Sequence, residues 1–220
     1  MIYVITGRRE LGKTTLARYL AAKRTPQLVI DPRTQWPELD GTVTVEAVDW
    51  RALAWLEEGR SVIVQPRDLD ESITVAADVA EAYVQVDRER PLSLVLDEAK
   101  LYDTRAFGWL MRCSNRRTVN VILTAHRPQD IPTDVRAILD TWCVFRTTQQ
   151  HDLAALGERT SERFAAMASQ LPAHHFVAWD DAAVDHAITL HARPELWKEP
   201  DVTPLVGEPA IAQHERKRLF

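Results

Sequence analysis

Along the chain, short apolar, β-branched runs alternate with stretches whose apolar residues recur every three or four positions. The runs at 2–6, 27–30, 43–46, 61–65, 92–96, 119–124 and 141–146 read as strands. Between them, 13–24 reads as a helix with Leu16, Tyr19 and Leu20 on its inner face, and 48–58 as a second helix ended by Gly59. Residues 70–88 read as a long helix, capped by Asp70 or Ser72, with Ile73, Ala76, Ala80 and Val84 at helical spacing. Pro91 then opens the next strand, a position where proline is tolerated. Helices near 149–156 and 161–170 and a hairpin within 174–190 complete the patterned part. Strands alternating with helices predict an α/β fold with a mostly parallel sheet flanked by helices.

From Arg193 onward the pattern fails. Pro194, Pro200, Pro204 and Pro209 punctuate scattered apolar residues that cannot bury themselves. The expected organisation is therefore one domain over 1–192 and a C-terminal tail or arm over 193–220. The 220 residues, 45% of them hydrophobic, suffice for one large core. No apolar run approaches the roughly 20 residues needed to span a bilayer. The first residues already form a strand, so no signal peptide is expected ahead of it. Cys113 and Cys143 lack metal-ligand spacing and point to a reducing compartment. A net charge of −5 gives no global sign of nucleic-acid binding, yet basic residues cluster at Arg8, Arg9, Arg18, Lys23 and Arg24, at Arg112, Arg116 and Arg117, and at Arg216–Arg218. Solvated faces account for many of these, but a channel-lining stripe would need no more.

The sharpest signal begins where the first strand ends. Gly7-Arg8-Arg9-Glu10-Leu11-Gly12-Lys13-Thr14 matches G-x-x-x-x-G-K-T, with Thr15 following and a helix opening at Lys13. In such a loop the backbone amides surround phosphates, and the helix directs its positive end at the same anion. Lys13 would reach the β- and γ-phosphates, and the Thr14 hydroxyl would ligate Mg²⁺. The motif predicts a nucleoside triphosphate ligand, ATP with Mg²⁺.

The run Leu92-Ser93-Leu94-Val95-Leu96 ends in Asp97-Glu98. Asp97 would complete the Mg²⁺ shell opposite Thr14, and Glu98 could polarise an attacking water. A helix cap is the competing reading for such acids, but downstream of a phosphate loop a hydrolytic site is favoured. The strand Val119–Thr124 leads into Ala125-His126-Arg127-Pro128, where Thr124 and His126 are candidates to report on the γ-phosphate.

Taken together, Gly-x4-Gly-Lys-Thr, L-V-L-D-E-A and V-I-L-T-A-H-R-P-Q-D-I resemble the HerA–FtsK superfamily of DNA-pumping ATPases over roughly residues 1–160. Within it, the genome-packaging ATPases of tailless, membrane-containing phages and archaeal viruses are most similar. Asp31-Pro32, and Arg146 followed by Asp152 and Leu153, are similar to the family's layout too. One departure is His126, where family members commonly carry glutamine.

The resemblance implies a P-loop NTPase fold of the ASCE/RecA-like kind with a short C-terminal extension. It also implies ATP hydrolysis at the subunit interfaces of a homo-oligomeric ring, a hexamer by family likeness. One subunit would supply an arginine, Arg116 or Arg117, to its neighbour's γ-phosphate; Arg146 is a second candidate, which could instead contact nucleotide within its own subunit. The implied task is sequence-independent translocation of double-stranded DNA into a preformed capsid. A capsid or viral-membrane vertex protein would be a partner. The motor itself would not span a membrane, working in the host cytoplasm and at the packaging vertex of the virion. The alternatives are a filamentous-phage-type assembly ATPase, which usually continues into a transmembrane helix, a small P-loop kinase, and a slowly hydrolysing nucleotide switch.

Overall fold

The computed structural model describes residues 1–37, 41–86, 89–102, 108, 118–180 and 188–191. These centre on a nine-stranded sheet. In chain order its strands are β1 (Ile2–Thr6), β2 (Gln27–Ile30), β3 (Thr42–Val45), β4 (Ser61–Val64), β5 (Leu92–Leu96), β6 (Val119–Ala125), β7 (Thr141–Phe145), β8 (His175–Asp180) and β9 (Ile188–His191). In space they lie in the order β3-β4-β2-β5-β6-β1-β7-β8-β9. The first seven pair in parallel, while β8 and β9 add an antiparallel hairpin beside β7. The expected α/β architecture is the observed one.

Alternate strand residues feed two cores, as the pleat requires. Val4, Leu28, Ile30, Leu94, Leu96, Val121 and Trp142 face one side; Tyr3, Ile5, Val29, Val95, Ile122 and Phe145 face the other. The first side is covered by α2 (Arg51–Glu57), α3 (Leu69–Val86), α4 (Thr133–Ile138), α5 (Gln150–Arg159) and α6 (Glu162–Gln170). The second is covered by α1 (Lys13–Ala22), whose Leu16, Ala17, Leu20 and Ala21 are buried. Tyr19 sits at the margin of that face, with the Lys23 ammonium 4.5 Å from its ring centre.

Two local readings change. The long helix begins at Leu69, and Asp68 rather than Asp70 or Ser72 caps it, its carboxylate accepting from the Glu71 N–H at 3.1 Å. Ser72 is buried within the helix, and Asp70 and Glu71 occupy its first turn, where acids complement the helix dipole. The helix α4 was not anticipated; at six residues it is too short to show a period. The stop at Gly59 holds. Its φ of 81° lets its N–H reach the Leu56 carbonyl while the Arg60 N–H reaches Trp55, closing a Schellman motif.

Cys143 is fully enclosed, and burial pushes its thiol up to about 12, making it an inert core residue. Cys113 and the tail over 193–220 lie outside the described residues. Among the described residues, no helix is long and apolar enough to cross a membrane.

Candidate active site

Strands β2, β5, β6 and β1 are consecutive in the sheet, and their C-terminal ends form one rim. Open α/β sheets bind ligands at this end, where loops are free of the ladder. The phosphate loop leaves β1 there. The Gly7 N–H donates to the Ala125 carbonyl at 3.2 Å, tying the loop to β6, and the Gly12 carbonyl accepts from the Leu16 N–H at 2.9 Å to start α1. Positive φ angles at Gly7 (154°), Glu10 (63°) and Gly12 (104°) coil the backbone between those anchors.

Gly7 has a second constraint. A Cβ there would stand 2.5 Å from the Phe145 Cβ, and Phe145 is a fully buried residue of β7. Gly7→Ala should therefore destabilise the fold by about 1–3 kcal/mol, the usual scale of overpacking, and displace the loop. Urea unfolding should show a lowered midpoint together with weakened ATPγS binding; an unchanged midpoint would contradict this packing argument.

At the end of β5, the Thr124 hydroxyl accepts from the Glu98 N–H at 3.0 Å and donates to Asp97 Oδ1 at 2.5 Å. The Tyr102 hydroxyl donates to the Asp97 carbonyl at 2.7 Å. Asp97 is thus held at Oδ1 and at its carbonyl, yet its Oδ2 is buried with no hydrogen-bond partner among the described residues. Burial raises the Asp97 carboxyl above its ordinary value, the Thr124 hydrogen bond opposing. The next residue turns sharply. Glu98 adopts φ 59° and ψ 57°, a left-handed conformation costly for a non-glycine residue, which ends the strand.

Glu98 is only 6% exposed, and its Oε1 lies 3.0 Å from His126 Nε2 and 3.7 Å from Arg33 Nε. The His126 contact has ion-pair distance without good hydrogen-bond alignment. On the other side of the ring, Lys13 Nζ sits 3.3 Å from His126 Nδ1 and donates to the Arg8 carbonyl at 3.0 Å. An ammonium can only donate, so Nδ1 accepts and Nε2 carries the proton toward Glu98. Burial, then the Lys13 charge, holds His126 below its ordinary value against the pull of Glu98, so the ring is neutral at pH 7. A neutral imidazole offers one acceptor and one donor, as a glutamine amide does. The departure at His126 therefore preserves the hydrogen-bonding pair that glutamine would bring. Burial also lowers the Lys13 ammonium, with Glu98 and Asp97 opposing.

These groups line a cavity of about 600 Å³ together with Arg9, Glu10, Gly12, Thr14 and Thr15. Its volume suits a nucleotide-sized ligand. Thr124 lies behind the carboxylates, 1% exposed, and is not among the cavity-lining residues. A second cavity of about 310 Å³ is lined by Arg8, Leu11, Arg146, Thr148 and Ala173, with Arg8 donating to the Thr148 hydroxyl at 3.3 Å. Gly7 through Thr15 and Arg146 thus border one cavity or the other, or anchor the loop between them. Arg116 and Arg117 lie outside the described residues.

Three lining residues were not anticipated from sequence: Arg33 and Gln35 after β2, and His174 before β8. A signal existed for the first two. Asp31, fully buried, accepts from the Arg33 N–H at 3.3 Å and the Trp36 N–H at 2.7 Å. The Asp31-Pro32 pair is the anchor of a shaped turn, and the residues it carries face the cavity.

No protein-family model matches the chain, and no curated protein matches it by sequence. Solved structures do. The genome-packaging NTPase B204 from Sulfolobus turreted icosahedral virus 2, in complex with sulfate, aligns with a TM-score of 0.70 and 17% identity over 86% of this chain and 95% of that one. Its ATPγS complex gives 0.67 and 18%, covering 83% and 93%. The fold is that of a P-loop NTPase. The cytoplasmic domain of the type VII secretion ATPase EccC from Thermomonospora curvata aligns more distantly, with a TM-score of 0.50 and 11% identity over 86% of this chain and 23% of that one.

Proposed function

We propose that this chain hydrolyses ATP and that hydrolysis drives double-stranded DNA into a preformed viral capsid. The observation that carries the reading is the convergence of Lys13, His126 and Glu98 on one cavity bounded by the phosphate loop. Lys13 binds the β- and γ-phosphates. Glu98 takes a proton from water as its oxygen attacks the γ-phosphorus, the bond to the bridging oxygen breaks, and ADP leaves with the electron pair. His126 stands between the two and reports the γ-phosphate through either ring nitrogen, while Thr124 holds the Asp97 carboxylate and the Glu98 backbone N–H. Leu11 and Arg146 line the neighbouring cavity, where they would border the rest of the nucleotide.

Thr14 and Asp97 would hold Mg²⁺. The residues fit: Asp97 Oδ2 is a buried oxygen with no partner, and its raised carboxyl would be relieved by a cation. An ion of this kind is held by one or two protein ligands together with substrate phosphates and water. Bound there, it would neutralise charge on the phosphate oxygens.

The motor reading extends to a ring, a hexamer by resemblance, in which a neighbour's Arg116 or Arg117 completes the site. Such an arginine raises turnover by about 10³–10⁵-fold in other NTPases. Channel loops would grip DNA through its phosphates, because a packaging motor must ignore sequence. A capsid or vertex protein would dock the ring, placing it in the host cytoplasm and then on the virion. The aligned B204 structures, described as those of a genome-packaging NTPase and a DNA-packaging ATPase, support this assignment.

Long duplex DNA should raise the rate of phosphate release several-fold, and mass measurement with nucleotide should find a closed ring. Transfer of phosphate to a small acceptor, with none released to water, would overturn the motor and favour a kinase.

A further inference from the structure

Arg33 has no role in the reading above, yet the fold goes to some length to present it. The turn after β2 is anchored by the fully buried Asp31, whose two oxygens accept from the Arg33 and Trp36 N–H groups. Trp36 is itself buried in the core beneath α1, and Thr34 between them takes φ 53°. So built, the turn brings Arg33 and Gln35 into the wall of the cavity that Gly12, Lys13 and Thr14 also line. There the Arg33 guanidinium stands 3.7 Å from Glu98 Oε1, the oxygen that also faces His126.

We propose that Arg33 is a ligand of the terminal phosphate supplied within the same subunit, and that it exchanges its ion pair from Glu98 to that phosphate when ATP enters. The inference rests on the ATPase reading and assigns Arg33 two tasks in it. While Glu98 is paired with Arg33, its Oε1 is occupied by the guanidinium on one side and faced by His126 on the other. A γ-phosphate carries more negative charge than a carboxylate and offers the planar guanidinium a bidentate partner. Moving to it leaves Glu98 free to receive the proton of the attacking water. ADP lacks the group that triggers the exchange, so Arg33 distinguishes the triphosphate from the product.

The test is calorimetric titration of the full chain with Mg²⁺·ATPγS and with Mg²⁺·ADP. Arg33→Ala should weaken ATPγS binding by about 10- to 100-fold, the scale of one charge-assisted contact, and change ADP binding less than about twofold. Arg33→Lys should restore part of the loss. The Arg33→Ala chain keeps the backbone N–H that Asp31 holds, so the turn is retained; Arg33→Gln serves if it is not. Glu98→Gln should tighten ATPγS binding more in the parent than in the Arg33→Ala chain, because only the parent has an ion pair to release. Equal losses for both nucleotides, no loss for either, or an identical Glu98→Gln effect in both backgrounds would overturn the inference alone. A parent chain that binds neither nucleotide would overturn the ATPase reading along with it.

Discussion

Glu98→Gln should bind ATP as well as the parent chain or better, while its turnover falls by about 10²–10⁴-fold, the range for removing a positioned general base. The two side chains differ by one oxygen replaced with an NH₂ group, so packing at this nearly closed position is conserved. Its left-handed backbone comes from the turn at the end of β5, and the Thr124 hydroxyl still accepts from the residue 98 N–H. What disappears is the capacity to take a proton. Single-turnover phosphate release, measured beside ATPγS affinity, separates the two effects. Hydrolysis at the parent rate would remove Glu98 from the chemistry and leave His126, its neighbour on the same cavity, as the next candidate.

The sheet was legible because its central strands β1, β2, β5, β6 and β7 are buried on both faces and read as largely apolar runs, while the half-buried edge strand β3 shows as β-branched alternation. Every predicted strand is present, with ends within a residue of those drawn from the pattern. Boundaries set by single polar contacts were harder. Asp68 caps α3 although Asp70 and Ser72 are chemically equal candidates, and only the direction in which the chain enters the helix decides among them. The phosphate loop and the Asp97-Glu98 pair were legible because each is contiguous in the chain. Arg33 and His174 were not, since they reach the cavity from turns far away in sequence and their neighbours there come from other strands. The neutral state of His126 was equally hidden. It follows from burial first and then from Lys13 Nζ lying against Nδ1, a contact between residues 113 positions apart.

Asp97 provides the opposite trade between stability and activity. Its carboxyl is raised by burial first, with Glu98 and Asp31 adding to the effect and the Thr124 hydrogen bond opposing. A raised value in the folded chain means that the folded state holds the proton more tightly than the unfolded one. Stability is then lost as pH rises from the ordinary carboxyl value of 3.8 to the higher folded value, and the deficit persists at neutral pH. Asp97→Asn keeps an oxygen for the Thr124 hydroxyl and removes the buried charge. Without nucleotide, the variant should therefore melt above the parent at pH 7, by about 2–4 °C per kcal/mol recovered in a domain of this size. That gap should shrink toward pH 4. Turnover should move the other way, falling by at least about 10²-fold, the scale of losing one charge-stabilising group. Adding Mg²⁺·ATPγS should reverse the melting order, because only the parent offers the cation an anionic oxygen and gains the full linkage to bound ligand. A variant less stable than the parent at pH 7 without ligand would show that the unpartnered Oδ2 is not a cost to the fold. An order unchanged by Mg²⁺·ATPγS would show that it is not a place for the ion.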